Sequence, residues 1–245
     1  MSGPCNCCGN SNKIHRTETT RRMQKEQIAL FDTQGKQVGT KERAAAYRDR
    51  DRVGLCFVWA AYTAPDNTVR MLLQTRSRPG DPYLGSLDSP AAGHIQADEY
   101  HGETARREFA EEVGVELYPT ELVFLGQLHL EDPSERYWRH AMQFFYLCTR
   151  PIALDETVFN EEVSAFVEVT LADFDDLVSG RSASIQGQTR YEETPNEIRP
   201  QEITPAAFAA YSEQIMHAIR RSAYAIDAYL KNDQVDAAIW SSPTG

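Results

Sequence analysis

Three glutamates, Glu108, Glu111 and Glu112, stand close together in the stretch GHIQADEYHGETARREFAEEVGV, which runs from Gly93 to Val115. A helix turns about 100° per residue, so these carboxylates would share one side of a helix and repel one another. They would also lie in its last turn, where the helix dipole disfavours acids. Such an arrangement opposes folding unless a cation offsets the charge, so the spacing predicts a site for divalent metal.

Clustered carboxylates of this kind suit chemistry on diphosphates. Diphosphates resist hydrolysis partly because their negative oxygens repel an attacking nucleophile, and catalysis requires that this charge be neutralised. Mg²⁺ takes carboxylate oxygens as ligands, keeps several waters and bridges phosphate oxygens. Three glutamates could hold such ions and orient or activate a metal-bound water. The residues are therefore suited to metal-dependent hydrolysis, with Mg²⁺ or Mn²⁺ as the cofactor.

Part of the charge on this helix has an ordinary explanation. Glu103 and Arg107 stand four residues apart, and Arg107 also reaches Glu111, so these side chains can form surface ion pairs. Glu108 and Glu112 have no basic partner at helical spacing. A solvated acidic face is the alternative that these residues alone leave open.

The same stretch resembles the signature of the Nudix hydrolases, which reads Gly, five residues, Glu, seven residues, then Arg-Glu-apolar-x-Glu-Glu-x-Gly-aliphatic. The matching positions are Gly93, Glu99, Arg107, Glu108, Phe109, Glu111, Glu112, Gly114 and Val115. At ordinary residue frequencies, seven fixed identities coincide at a given start about once in 10⁸. The resemblance implies the Nudix fold, of α/β (α+β) class, in which a mixed β-sheet is sandwiched between helices, here with an added C-terminal helix.

The resemblance also implies roles for individual residues. The three glutamates of the first paragraph would be metal ligands, together with the backbone carbonyl near Ala92 and Gly93. Glu99 would hold Arg107, which would position the carboxylates. The catalytic base would be one of the three glutamates or a glutamate on a later loop, where Glu162 stands in FNEEVSAFVEV. An ordinary surface acid is an equal interpretation of Glu162.

Several other side chains are candidates for contacts to the substrate. Arg76 and Arg78 in QTRSRPGDPY could grip phosphate by bidentate hydrogen bonds, although exposed loop arginines need no such role. His94 follows the first glycine of the motif and could assist phosphate or metal, or make a polar loop contact. Tyr137 and Trp138 could stack on a base or simply pack at the start of a strand. The expected partner is a small-molecule diphosphate, most simply a nucleoside diphosphate derivative.

The likeness spans about residues 27–178 and is closest to the family branch that resembles isopentenyl-diphosphate isomerases. That branch needs a catalytic cysteine just before the Gly-His of the motif, where this chain has Ala92. An alanine cannot carry out the proton chemistry of a thiol, which argues against isomerase activity. The sequence thus favours a hydrolase. A Nudix-fold module that senses a nucleotide or metabolite without turnover is the alternative from a different class.

Composition and charge narrow the partners further. The chain has 245 residues, 41% of them hydrophobic, and a formal net charge of -11. The negative charge argues against nucleic acid and anionic membranes as partners. No apolar run approaches the roughly 20 residues that span a bilayer, and the N-terminus lacks the apolar stretch of a secretory signal. We therefore expect a soluble, cytoplasmic protein.

The five cysteines divide into two groups. Cys56 and Cys148 lie in strand-like runs and are expected to be buried thiols. Cys5, Cys7 and Cys8 lie in a polar segment and could bind zinc together with a nearby histidine. Their spacing is not that of a familiar structural zinc finger, so a disordered arm is the simpler interpretation.

The elements that must position these residues follow from hydrophobic periodicity and turn signals. The predicted organisation is a flexible arm (1–26), the Nudix domain (27–178), a loop or linker (179–203), a C-terminal helix (204–231) and a tail (232–245). Within the domain we expect a hairpin over 27–41, strands at 54–63, 68–77, 122–130, 140–150 and 163–171, and the glutamate helix from about 102 to 113.

Two helix boundaries can be assigned to particular residues. Gly114 suits the left-handed position that ends the glutamate helix. Thr204 and Pro205 make a suitable N-cap and first-turn pair for the C-terminal helix. The apolar stripe of that helix would pack on the domain, with a homodimer interface as the alternative.

Overall fold

The computed structural model describes residues 26–132 and 139–241. The arm with Cys5, Cys7 and Cys8 therefore lies outside the described residues, as do Tyr137 and Trp138. The other two cysteines are buried, as predicted. No helix within the described ranges is long and apolar enough to cross a bilayer.

Eleven strands in the described ranges form one hydrogen-bonded sheet. They are β1 (Gln27–Phe31), β2 (Gln37–Glu42), β3 (Val53–Thr63), β4 (Val69–Arg76), β5 (Leu87–Asp88), β6 (Ala91–His94), β7 (Leu122–Asp132), β8 (Arg139–Cys148), β9 (Val163–Thr170), β10 (Ile185–Tyr191) and β11 (Thr194–Ile203). The helices are α1 (Arg43–Arg48), α2 (His101–Glu112), α3 (Leu171–Val178), α4 (Glu213–Asn232) and α5 (Ala238–Ser241). The predicted hairpin, the five predicted strands and the glutamate helix α2 are confirmed to within two residues at each end.

β3 is the central strand of the sheet. Its sequence VGLCFVWAAYT is almost entirely apolar, as expected for a strand that is covered on both faces. It pairs in parallel with β8 from Val53 to Ala60, and antiparallel with β6 from Leu55 to Val58. The combination of parallel and antiparallel pairing confirms the predicted mixed sheet.

A split between β3 and β4 creates the main cleft of the molecule. These two strands pair only over Ala60–Thr63. Before Ala60, β3 pairs instead with β6, while the later residues of β4 pair with β5 and β9. The divergence leaves a cleft that β3, β4, β6 and α2 border. The sheet topology therefore places the glutamate helix beside the cleft between β3 and β4.

Helices cover both faces of the sheet. On one face, α2 packs its fully buried residues Ala105, Phe109 and Val113 against even-numbered residues of β3 such as Cys56 and Val58. On the other face, α3 and α4 pack on odd-numbered residues of β3, and the buried residues there include Trp59, Phe174 and Ile226. The alternation follows from the period of two in a strand. It confirms the predicted sandwich.

The C-terminal helix begins later than predicted. Thr204 makes no side-chain cap bond, and Pro205 opens only a short 3₁₀ helix, Pro205–Phe208. α4 begins at Glu213 instead, because the Ser212 hydroxyl accepts a hydrogen bond from the Ile215 amide at 3.4 Å. The helix then runs to Asn232, one residue past the predicted end.

The predicted loop over 179–203 was wrong, because residues 185–203 form the antiparallel hairpin β10–β11. β10 joins the sheet by pairing with β9. Its inward residues Ile185, Gly187 and Thr189 alternate with exposed ones, and β11 is largely exposed. Because the hairpin forms the edge of the sheet and buries few apolar side chains, its sequence is as polar as that of a loop. The sheet therefore continues to Ile203, beyond the predicted domain boundary.

Candidate active site

α2 brings the three glutamates of the motif to the cleft. The helix ends at the predicted position, with Val113 as its cap and Gly114 at a φ of +80°, a conformation that favours glycine. Glu108, Glu111 and Glu112 all line the cleft. The apolar stripe of α2 is buried beneath them, so packing fixes the direction in which the carboxylates point.

The three carboxylates differ in their exposure. Glu112 is only 6% exposed, and the side chain of Glu108 is 13% exposed, whereas that of Glu111 is 59% exposed. Burial raises the pKa of Glu112 to about 8, although a hydrogen bond from Gln74 opposes the shift. Burial likewise raises the pKa of Glu108 to about 7, against the effect of Arg107. Both groups thus lack enough positive charge nearby to ionise as readily as in water.

The backbone of β6 forms the floor beneath Glu108. A Cβ placed on Gly93 would lie 1.9 Å from Oε1 of Glu108, so only glycine allows this carboxylate its position. Ala92, whose carbonyl the family resemblance includes in the metal shell, lines the cleft next to Gly93. The motif therefore needs glycine at this position, because any side chain would displace the Glu108 carboxylate.

Arg107 links the motif together, and its predicted contact with Glu99 is present. Its Nε donates to Glu99 Oε1 at 2.7 Å, and its Nη2 donates to Oε2 at 2.9 Å. Nη1 donates to Glu108 at 2.7 Å and to Glu111 at 3.2 Å. Nη2 also lies 3.3 Å from the carbonyl oxygen of His94. One planar guanidinium thereby fixes two carboxylates of the cluster relative to β6.

Gln74 on β4 is a site residue that sequence reasoning missed. It is 1% exposed, and its Nε2 donates to Glu112 Oε2 at 2.6 Å. Its Oε1 has no hydrogen-bond partner among the described residues. The available signal was a polar residue within the apolar run MLLQT, since a buried glutamine needs partners.

The two candidate arginines have different environments. Arg76 donates to Asp81 and to Asp88, each at 2.9 Å, and its side chain is only 23% exposed. Arg78 is 54% exposed and pairs with Glu162 at 2.9 Å. The positive charge of Arg76 is thus offset by two buried acids. Both arginines line the cleft, and their contact with a substrate phosphate stays a prediction.

Glu162 and His94 both lie at the cleft. Glu162 immediately precedes β9, and its charge helps to raise the pKa values of Glu108 and Glu112. The Nε2 atom of His94 lies 2.8 Å from the hydroxyl of Tyr47, a residue of α1 that the sequence did not indicate. Among the described residues, the fold thus gathers at one cleft the motif carboxylates, Arg107 and the candidates from the neighbouring loops, with Glu99 joined to them through Arg107. Tyr137 and Trp138 lie outside the described residues, so their predicted contacts stay predictions.

Part of the cleft wall is aromatic. The cleft has a volume of about 780 Å³, and its apolar wall includes Phe57, Trp59 and Phe145. The rings of Phe57 and Phe145 are stacked, with centroids 5.5 Å apart. Trp59 Nε1 and Gln143 Oε1 are buried in this wall, and neither has a hydrogen-bond partner within the described ranges. α4 also lines the cleft, with residues such as Ile219.

A mixed sheet between helices, with a Gly-Glu-Arg-Glu-Glu-Glu motif at the split between its central strands, is the arrangement of a Nudix domain. The model of the NUDIX domain family matches residues 57–189, more than half of the chain. The chain therefore belongs to the Nudix family.

Two curated relatives are Nudix hydrolases. YfcD, an uncharacterized Nudix hydrolase of Escherichia coli (strain K12), is 33% identical over 140 residues, which cover 56% of this chain and 76% of YfcD. Nudix hydrolase 3 of Arabidopsis thaliana is 31% identical over 165 residues, or 64% of this chain. That alignment spans only 21% of the Arabidopsis protein. Among solved structures, DR0079 of Deinococcus radiodurans has a TM-score of 0.48 at 18% identity, covering 63% of this chain and 90% of that one.

Proposed function

We propose that this protein is a metal-dependent hydrolase that cleaves the diphosphate linkage of a nucleoside diphosphate derivative with water. One observation carries the proposal: Glu108, Glu111, Glu112 and Glu162 line the same cleft as the aromatic side chains Phe57, Trp59 and Phe145. Family membership supports the reaction class, since the curated relatives named above are Nudix hydrolases.

The glutamate donor set in the cleft fits Mg²⁺ or Mn²⁺. Glu108, Glu111 and Glu112 would hold the ion, together with the backbone carbonyl near Ala92. The raised pKa values of Glu108 and Glu112 support this assignment, because a divalent cation supplies the positive charge that the buried carboxylates lack. When bound, the ion would neutralise diphosphate oxygens and lower the pKa of a coordinated water.

The chain's own residues would orient the reactants. Arg107 holds Glu108 in place through its bonds to Glu99. We assign Glu162 as the base that accepts a proton from the attacking water, because it stands at the cleft on a loop separate from α2. Arg78, its partner in the free protein, would then turn to a substrate phosphate, and His94 would contact the same group.

The aromatic part of the cleft wall, formed by Phe57, Trp59 and Phe145, would hold the nucleoside. Phe57 and Phe145 offer flat apolar surface on which a base can lie. Trp59 Nε1 and Gln143 Oε1 are a buried donor and a buried acceptor that need partners, and the edge of a base supplies both kinds. An isoprenoid chain would leave the two groups unsatisfied, which, together with the absence of a thiol at Ala92, disfavours the isomerase alternative.

Turnover with defined substrates tests the proposal. Purified protein is given nucleotide sugars, dinucleoside polyphosphates and nucleoside triphosphates, with and without Mg²⁺, and phosphate-containing products are measured. We expect turnover of at least one class only with metal, and a loss of at least about 100-fold in Glu112→Gln, with the fold retained by circular dichroism. Turnover of no class would contradict the proposal. Thermal stabilisation by a nucleotide without product would identify a sensor instead.

A further inference from the structure

A second group of metal-ligating side chains lies on the β7–β8 pair, outside the cleft. His129 and Glu131 stand two residues apart on β7, so their side chains share one face of the strand. His140 on β8 lies directly opposite Glu131 in the strand register. One ligand atom from each of the three side chains lies within 4.8 Å of the other two. None of these three residues lines the cleft that holds the motif glutamates.

The ring nitrogens of His140 each face one polar group. Nε2 of His140 lies 2.6 Å from Nη2 of Arg52, a guanidinium that can only donate. Nδ1 faces the carbonyl oxygen of Arg50 at 3.4 Å. An imidazole nitrogen that can accept a hydrogen bond can also bind a metal. Arg52 also donates to the carbonyl oxygen of Phe31 at 3.4 Å, so it keeps a partner if a metal displaces it from Nε2.

The ligand types decide which metal suits the group. Two imidazoles and one carboxylate are a ligand set that Zn²⁺ takes in proteins, with further positions filled by water or another group. Mg²⁺ prefers oxygen ligands alone, so two imidazoles make this group a poor site for Mg²⁺. The separation of at most 4.8 Å requires only small side-chain rotations for all three atoms to reach one ion.

We propose that His129, Glu131 and His140 form a zinc site that ties the ends of β7 and β8 together. The site is independent of the diphosphate chemistry in the cleft. Arg52 acts as the competitor of the metal, because its guanidinium lies 2.6 Å from Nε2 of His140 and brings a positive charge next to the site.

Zinc competition with a chromophoric chelator tests the site on full-length protein without an affinity tag, in millimolar Mg²⁺ so that the motif carboxylates are occupied. We expect His129→Asn and Glu131→Gln each to weaken zinc binding by more than about tenfold, since even the loss of an outer-shell partner commonly costs 10–100-fold. Arg52→Met should bind zinc several-fold more tightly, because it removes the competing donor and its charge. His129 and Glu131 are exposed, so their variants should fold normally.

The cysteine-bearing arm needs its own control, because Cys5, Cys7 and Cys8 also can bind zinc. A variant with all three changed to serine should retain the zinc affinity of the wild type. Loss of zinc binding in that variant would overturn the proposal and assign the metal to the arm. Equal affinity in wild type, His129→Asn and Glu131→Gln would also overturn it.

Discussion

The α carbon of Gly93 faces the carboxylate of Glu108, and this contact gives the motif glycine a measurable role. Gly93→Ala places a methyl group where Oε1 of Glu108 now lies, so the carboxylate must move. We expect kcat/KM to fall by at least about 100-fold, because an error of about 1 Å in a catalytic group commonly has that effect. Steady-state kinetics on the substrate identified in the panel measure it.

Gly39 provides the matched control. It also lies in a strand, and a Cβ placed there meets nothing within 4 Å. Gly39→Ala should therefore leave kcat/KM unchanged. Equal activity in both variants would show that Glu108 can shift without loss, and its assignment as a metal ligand would fail.

Residue identity in the motif was predictable because the chemistry restricts it. Only acids at 108, 111 and 112 suit a divalent cation, so their types and spacing indicate the site without any coordinates. Gln74 and Gln143 were missed for a physical reason. Whether a polar side chain in an apolar strand faces a cleft depends on where neighbouring strands part, and the sequence of the strand alone does not contain that information.

At the scale of the element, Arg76 anchors the loop between β4 and β5. The side chains of its partners Asp81 and Asp88 are 5% and 11% exposed, so removing the arginine would leave two buried carboxylates without a cation. We expect Arg76→Met to lower the free energy of unfolding by about 3 kcal/mol. Urea denaturation measures the change.

Arg78 lies two residues away and is the natural comparison. Its ion pair with Glu162 is largely exposed, so Arg78→Met should cost less than about 1 kcal/mol of stability. Its effect should instead be on KM for the diphosphate substrate. If Arg76→Met were as stable as wild type and raised KM, Arg76 would contact the substrate phosphate, as the sequence predicts, and would not anchor the loop.

α4 packs its apolar stripe on the sheet of its own chain. Ile226 is fully buried in the core, whereas Tyr224 on the same helix is 61% exposed. Ile226→Ala should lower the free energy of unfolding by about 2–5 kcal/mol, and Tyr224→Ala by less than about 0.5 kcal/mol. Chemical denaturation at two protein concentrations measures both. Similar, concentration-dependent losses in the two variants would place this helix at a dimer interface instead.

Elements were predictable where packing imposes a strong pattern. β3 is covered on both faces and is one apolar run, whereas most residues of β11 are exposed to solvent and form no such run. The start of α4 illustrates a competition between two caps. Thr204 and Ser212 both suit an N-cap by type, and the choice falls to Ser212 because its hydroxyl can reach the Ile215 amide.

At the scale of the whole molecule, the cleft exists only because the sheet splits. β3 and β4 pair only from Ala60 onwards, and β6 pairs with the earlier part of β3. Residues of α4, which is distant in sequence, also line the cleft. No local stretch of sequence encodes this assembly. Burial in the resulting cleft is also what raises the pKa values of Glu108 and Glu112, so the folding of the molecule and the proposed metal binding would be coupled.

That coupling predicts how stability depends on pH. A carboxyl group whose pKa is higher in the folded than in the unfolded protein favours folding below its unfolded value, and this contribution is lost as the pH rises through the folded value. For Glu112, whose pKa rises from the ordinary value of 4.5 to about 8 in the folded protein, the loss falls between about pH 4.5 and 8. In chelator, wild type should therefore lose stability relative to Glu112→Gln over this range, by more than about 1 kcal/mol, since one pKa unit corresponds to about 1.4 kcal/mol.

Mg²⁺ should reverse this trend, because the ion and the protons compete for the same carboxylates. The increase in Tm on adding Mg²⁺ should be larger at pH 9 than at pH 6 for wild type, and Glu112→Gln should show a smaller increase at both values. Thermal denaturation in matched buffers measures these shifts. The outcome would contradict the assignment if the Mg²⁺-induced shift in Tm were the same at both pH values, or were undiminished in Glu112→Gln. Either result would mean that the ion binds away from Glu108 and Glu112.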